Sequence, residues 1–176
     1  AAKRLSPIAG KVAVVVSPQL SLEEALAVMA LAKKGLGAKE IFLSGKAAGE
    51  GDKLLLRPDR NPNRKGVELA AQAFGLGVRA FDELEKAKVQ GVLLAGLEVP
   101  KAEEEVAGWI GKLGVVVAMG KNASPLADAA QILLPLATHA EEEGTFVNFE
   151  GRAQRFVAAY PAKGASLPAW DLTGKA

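Results

Sequence analysis

The sequence predicts an α/β fold: a doubly wound, mostly parallel sheet with helices on both faces and a C-terminal β-hairpin. Three observations carry this reading. Val12–Val16, Gly91–Ala95 and Val115–Met119 are short, continuous apolar runs, the mark of strands covered on both faces. Segments of helical periodicity alternate with them, which is the order of a sheet wound in both directions. After Thr145 the pattern changes. Phe146–Phe149 and Ala153–Val157 read as two short strands around a turn at Glu150-Gly151.

Taken in order, Val12–Val16 opens the sheet and Ser17-Pro18 breaks it. Ser21 stands three residues before Glu24, the spacing of a capping box. Leu22, Ala25, Leu26 and Met29 follow at helical spacing, and Gly35 suits the C-terminal stop. Glu40–Leu43 is the next strand, so the unit is β-α-β and its strands are expected to be parallel. Leu54–Leu56 reads as a further short strand. A charged, turn-rich loop from Arg57 leads into a helix over Arg64–Phe74, with Pro62 and Asn63 at its start. Phe81–Lys88 reads as a short helix with Asp82 as its cap.

Gly91–Ala95 is followed by a helix starting at Pro100. Its Glu103, Glu104 and Glu105 lie near the positive end of the dipole, and Val106, Trp109, Ile110 and Leu113 form its inner face. Val115–Met119, Pro125–Ala130 and Ile132–Leu134 complete the alternation. Residues 1–160 are thus expected to form a single α/β domain. Residues 161–176, rich in Pro, Gly and Ala, are expected to form an extended C-terminal tail.

Composition excludes several function classes. A formal net charge of +2 gives no case for nucleic acid as a partner. No apolar run is long enough to span a membrane, so no direct membrane insertion is expected. The absence of Cys removes disulfides, thiol catalysis and Cys-held zinc or iron–sulfur centres, and a single His leaves little for a transition metal. The start, Ala1-Ala-Lys-Arg-Leu-Ser-Pro, has neither an apolar signal region nor an initiator Met, so a processed or partial chain is expected. The phosphate-binding fingerprints G-x-G-x-x-G and G-x-x-x-x-G-K-(S/T), and the nucleophile pattern G-x-S-x-G, do not occur in the required contexts.

Two regions remain as candidate sites. His139 beside Glu141, Glu142 and Glu143 has the residue types of a metal or acid–base site. A lone His next to a solvated acidic turn needs no function, and that reading is preferred; the Glu triplet reads most simply as an exposed run, with room for one of the three to be buried and paired. In the hairpin, Asn148, Glu150 and Arg152 are interleaved with Phe146, Phe149 and Phe156. A buried Glu150 needs a cation, and Arg152 is the nearest one, so a salt-bridged hairpin capping the sheet is expected, with a ligand or subunit contact as the alternative. The polar loop of Arg57, Asp59, Arg60, Asn61 and Asn63 follows a strand and is a second place for a ligand, though a solvated surface turn is the preferred reading.

The stretch Ala127-Asp128 … Ile132-Leu-Leu-Pro135 … Thr138 … Glu141 … Gly144-Thr145-Phe146 … Asn148 … Glu150-Gly151-Arg152 … Gln154 resembles a signature of the molybdopterin-dependent oxidoreductase superfamily. There the pattern is roughly A-D-x-V-L-P, then E-x-x-G-T-(F/Y)-x-N-x-E-G-R-x-Q. Within that superfamily the sequence is most similar to the C-terminal α/β region of the large iron–sulfur subunit of bacterial NADH:quinone oxidoreductase, complex I. Gly151, the loop Asn61-Pro-Asn-Arg-Lys-Gly66 and the run Leu167-Pro-Ala-Trp170-Asp-Leu point that way. Cofactor-bearing members carry a Gly-x-Asn-Pro turn where this chain has Gly96-Leu-Glu-Val-Pro100. They carry Asp and a Thr-rich turn where it has Met119-Gly-Lys-Asn-Ala-Ser-Pro125.

The resemblance therefore implies a structural, subunit-interaction domain without its own redox centre. Iron–sulfur clusters are expected elsewhere in the parent subunit, and molybdopterin is not expected in this chain. It implies Glu141, Gly144, Thr145, Asn148, Glu150, Gly151 and Arg152 as candidate structural or interaction residues, with no catalytic residue among them. The implied partners are other peripheral-arm subunits or the rest of the parent chain. The implied location is cytoplasmic, peripheral to the inner face of the plasma membrane through the complex. Two other readings stand beside it. One is part of a molybdopterin-dependent, formate dehydrogenase-like oxidoreductase, with Thr145, Asn148 and Arg152 near the pterin. The other is an independent α/β module that binds a small anionic ligand.

Overall fold

The structure, a computed structural model, describes residues 1–174. A one-turn helix, α1 (Ala2–Leu5), precedes β1 (Val12–Val16), in which all five residues are buried. Successive side chains of a strand point to opposite faces. Val12, Val14 and Val16 accordingly enter one core, and Ala13 and Val15 the other. A strand with two cores to fill must be apolar at every position, which is why β1 carries no alternation in its sequence.

Helix α2 (Leu22–Ala30) begins with the expected capping box. Ser21 Oγ accepts the Glu24 N–H at 3.2 Å, and Glu24 Oε2 accepts the Ser21 N–H at 2.9 Å. The helix runs on as a π-helical turn, Leu31–Gly35. The Leu36 and Ala38 amides satisfy the carbonyls of Leu31 and Ala32, so the left-handed residue that stops the helix is Gly37 rather than Gly35. Strand β2 (Glu40–Leu43) lies parallel to β1. Helix α3 (Arg64–Ala73) leads to β3 (Gly77–Ala80), an outer strand that the sequence did not reveal. A 3-10 turn, Phe81–Lys86, follows; its N-cap residue is Ala80, whose N–H donates to Glu83 Oε1, and Asp82, the expected cap, lies inside the turn and pairs with Lys101.

The chain then crosses to the other side of β1. Strand β4 (Gly91–Ala95) pairs with β1, α4 (Glu103–Ile110) returns the chain, and β5 (Val115–Gly120) pairs with β4. The one-turn α5 (Pro125–Asp128) leads to β6 (Ile132–Pro135). The six-stranded sheet has the order β3-β2-β1-β4-β5-β6, and every neighbouring pair is parallel. Helices α2 and α3 cover one face, and α4, α5 and the 3-10 turn cover the other. Burying one Val or Leu is worth about 1.5–3 kcal/mol, so the doubly covered strands β1, β4 and β5 hold the fold.

Two expectations fail here. Leu54–Leu56 is not a strand. The three residues form an exposed turn whose N–H groups all donate to Asp52 Oδ1. Residues 161–176 are also more than an extended tail. Leu167 forms a parallel bridge with Leu136 beside the β6 edge, and helix α6 (Ala169–Gly174) packs on α2. Ala169, fully buried, donates its N–H to Glu24 Oε1 at 3.0 Å. The last two residues of that expectation, Lys175 and Ala176, lie outside the described residues. The antiparallel hairpin of β7 (Gly144–Val147) and β8 (Ala153–Phe156) forms a separate two-stranded sheet against α2 and α3.

Candidate functional site

In an open α/β sheet, ligands bind at the carboxyl ends of the strands, where the winding direction reverses. Here that point lies between β1 and β4. Ser17 follows β1 and is fully buried. Its Oγ donates to Glu98 Oε2 at 2.7 Å, and its N–H donates to the Ala95 carbonyl. Gly96 has φ +86, and a Cβ there would stand 2.4 Å from Ser17 Cβ. The turns after β1 and β4 therefore touch, and the Ser17–Glu98 bond closes the crevice between them.

Beside this closed point lies a cleft of about 360 Å³ whose lining includes Gln19, Glu98, Lys121, Asn122, Thr138 and His139. The loops after β1, β4, β5 and β6 all contribute to it. Lys121 and Glu98 give it one charge of each sign. The floor beneath Lys121 is unusual. Glu142, with a side chain only 1% exposed, lies with Oε1 3.6 Å from Lys121 Nζ. Its Oε2 is buried and has no hydrogen-bond partner. Burial first, and then the nearby negative charge of Glu24, push its carboxyl up to about 8, against the opposing pull of Lys121. The three consecutive glutamates are therefore not simply an exposed run, because the middle one is buried and paired. Glu143 is exposed and bridges Arg155 at 2.7 Å.

The hairpin is anchored through Gly144 and Thr145, together with Glu23 and Asn63 outside it, and not through Glu150 and Arg152. Asn63, fully buried, donates to the Leu20 carbonyl at 2.8 Å and accepts the Val147 N–H at 2.7 Å. Glu23 accepts both the N–H of Thr145 at 2.8 Å and its hydroxyl at 2.7 Å. A Cβ on Gly144 would lie 2.7 Å from Ser21 Cβ and 2.9 Å from the Phe156 ring, so the strand can sit this close to α2 only with glycine there. Asn148 shapes the tip: its Oδ1 accepts the N–H groups of Glu150 and Arg152, and Gly151 takes φ +84. Glu141 closes a turn by accepting the Thr138 N–H at 2.9 Å, and that bond, ahead of all other causes, holds its carboxyl below the usual range.

Glu150 and Arg152 do not form the buried pair expected of them. They lie 4.0 Å apart with side chains 55% and 73% exposed. They stand beyond the last paired residues, Val147 and Ala153, at the hairpin tip. Exposed pairs of this kind contribute about 0–1 kcal/mol. In the polar loop, Asp59 is spent on Arg64 at 2.8 Å, and Asn61 ties Lys46 and Gln19 together. His139 is exposed, and among the described residues no group of three or more His, Cys, Asp or Glu could hold a metal ion. Glu98, Lys121 and Glu23 carry no signal in the sequence, and Glu24 reads there only as a cap. None of the four belongs to a motif, and only the Ser21-to-Glu24 spacing carried a signal.

A family model described as molybdopterin oxidoreductase matches residues 12–175, nearly the whole chain. The chain belongs to the molybdopterin oxidoreductase family. Among its curated relatives is an NADH-quinone oxidoreductase subunit of Shewanella oneidensis, 29% identical over 142 residues, which are 80% of this chain and 14% of that protein. The protein of the same name from Escherichia coli K12 is 26% identical over 179 residues, 88% of this chain and 19% of the relative. That of Streptomyces coelicolor is 34% identical over 76 residues, 42% of this chain and 9% of the relative. The chain thus spans less than a fifth of the length of these relatives.

Membership of the molybdopterin oxidoreductase family raises the question of whether the residues here fit the pterin nucleotide. A phosphate at the switch point would meet the Glu98 carboxylate, and the contact of Gly96 with Ser17 leaves no room for a cradle of backbone N–H groups. The residues at this point do not fit such a group.

Proposed function

We propose that the chain is a structural, subunit-interaction domain within a complex I-type NADH-quinone oxidoreductase, and that it carries no redox centre of its own. The observation that carries the proposal is the similarity to proteins named as NADH-quinone oxidoreductase subunits over 80% and 88% of the chain. The closed switch point supports the second half. Ser17 and Glu98 occupy, with a carboxylate, the place where a phosphate-bearing cofactor sits in folds of this kind. On this reading its partners are other peripheral-arm subunits or the rest of a parent chain, and iron–sulfur clusters lie elsewhere in that parent. Its place is cytoplasmic, held at the inner face of the plasma membrane through the complex. No helix among the described residues is long and apolar enough to cross a membrane, which suits a peripheral position.

The test is purification of the chain from its own organism through an affinity tag, in the assembly it naturally forms. NADH:quinone activity is then assayed, and molybdenum, tungsten and pterin fluorescence are measured on the chain after it is separated from its partners. The expected result is an NADH-oxidising assembly, with no stoichiometric molybdenum, tungsten or pterin on this chain. A pterin bound at one equivalent, or an assembly without NADH activity, overturns the proposal.

A further inference from the structure

Between β2 and α3 the chain makes an excursion that packs on no core. It is nevertheless a built arm. Asn61 holds both the N–H and the carbonyl of Lys46 at its base. Gly49 N–H donates to the Pro58 carbonyl and Asp52 N–H to the Leu56 carbonyl, and Arg60 reaches across to the Glu50 carbonyl. At the tip, Asp52 Oδ1 accepts the N–H groups of Leu54, Leu55 and Leu56 at 2.7, 2.7 and 2.9 Å. Three consecutive leucines are thereby fixed in a turn that faces water, with Leu54 90%, Leu55 91% and Leu56 50% exposed. One residue further on, the Arg57 guanidinium lies 3.8 Å above the ring of Phe149, itself 59% exposed at the hairpin tip. Arg57 thus joins the arm to the hairpin tip, and both carry exposed apolar side chains. Leucines scattered singly on a surface need no explanation, but a clustered set held in place by a carboxylate and three backbone donors does.

We infer that this surface, Leu54 to Leu56 with Phe149, is a docking knob for a separate protein chain that offers an apolar groove flanked by carboxylates. The charges select the occupant. Asp52 is spent on the three amides and Asp59 on Arg64. Among the described residues, the cations that bracket the leucines, Lys53 and Arg57, have no ion-pair partner. A partner carboxylate at each end of the groove completes them. A second copy of the chain is a poor occupant, since self-complementary docking would set these cations against one another. An anionic bilayer is also a poor one. The arm's Lys46, Lys53, Arg57 and Arg60 are opposed by Glu50, Asp52 and Asp59, whereas lipid-binding segments carry unopposed clusters of about 4–8 cations.

The inference rests on the reading of the chain as a subunit-interaction domain, and its test separates the two. The natural assembly is purified through the tag and subjected to hydroxyl-radical footprinting, before and after salt dissociation. Leu55→Glu and Leu55→Met are carried in parallel, and folding is checked by circular dichroism. Expected results are oxidation of Leu54, Leu55 and Phe149 that rises roughly tenfold on dissociation, and incorporation of Leu55→Glu reduced roughly tenfold with Leu55→Met normal, as for a buried hot spot. Equal oxidation in both states with normal incorporation of Leu55→Glu overturns the knob and leaves the subunit reading standing. Failure of the unmodified chain to assemble with any partner overturns both. Leucine-dependent sedimentation with vesicles of phosphatidylcholine and phosphatidylglycerol overturns the protein partner in favour of a bilayer.

Discussion

Glu142→Gln is expected to stabilise the protein at alkaline pH and to leave it almost unchanged in mild acid. Glu142 is buried against Glu24, with Lys121 3.6 Å away on its other side. Its carboxyl, ordinarily near 4.5, is pushed up to about 8, first by burial and then by the charge of Glu24. The folded state therefore holds a proton that the unfolded chain has already released between these limits. Folding stability is fully supplied below pH 4.5 and is lost as pH rises through about 8. At about 1.4 kcal/mol per tenfold change in proton affinity, the ceiling of this loss is about 5 kcal/mol. Water entry and relaxation of the pocket bring the expected value to roughly 2–4 kcal/mol. An amide has the shape of the protonated acid: its carbonyl can face Lys121, and its NH₂ can replace the unpartnered Oε2 and donate to Glu24. At pH 9 the substitution should therefore raise the melting temperature by roughly 5–12 °C for a domain of this size, shrinking to about 1 °C or less at pH 5. Urea denaturation followed by circular dichroism at pH 5, 7 and 9 measures this directly. A stability difference that stays constant across the range would refute the reasoning, as would a variant less stable than the natural chain at pH 9.

Three further substitutions test other parts of the site. Asn63→Ala leaves the Leu20 carbonyl and the Val147 N–H buried without partners, and is expected to cost about 2–5 kcal/mol in urea denaturation, together with loss of proteolytic protection in the hairpin. Arg152→Ala, at a side chain 73% exposed, is expected to change stability by no more than about 0.5 kcal/mol, and a shift of several degrees in melting temperature would show that its pairing has been misjudged. Ser21→Ala removes the acceptor of the Glu24 N–H and loosens the carboxylate that holds Ala169. It should cost about 1–2 kcal/mol and speed hydrogen exchange in the segment from Ala169.

What the sequence made legible follows from how each element is buried. β1, β4 and β5 face two cores, so every position must be apolar and the run itself is the signal. β3 is an outer strand with Gly77, Val78 and Ala80 exposed, and its Arg79 is spent on Glu40 and Glu83. It has no apolar run to read, and its pairing with β2 becomes visible only when the sheet is assembled. Leu54–Leu56 misled for the converse reason. Three adjacent leucines resemble a buried strand, but one carboxylate two residues earlier captures their amides and holds them in a turn.

The candidate site divides in the same way. The hairpin signature, with Gly144, Asn148 and Gly151, was readable because those positions are constrained by backbone geometry, which restricts residue type. The groups that hold the hairpin on the sheet were not, because they are ordinary polar residues drawn from distant places: Glu23 and Glu24 on α2, Asn63 before α3 and Lys121 after β5. Each lies between about 20 and 150 residues from its partner in the chain, and no local spacing can announce such a pair. The same geometry suits the proposed structural domain. Glu142 is placed where its charge costs stability, yet it and Glu24 fasten segments to β5 and α2, one through Lys121 and the other through the Ala169 amide. Glu98 is turned onto Ser17 at the point where a phosphate-binding member of such a fold needs an open loop. Ser17, Glu98, Lys121 and Glu142 at the carboxyl edge of the sheet bind the chain to itself, and Leu54 and Leu55 at the tip of the arm are the most exposed of the large apolar side chains.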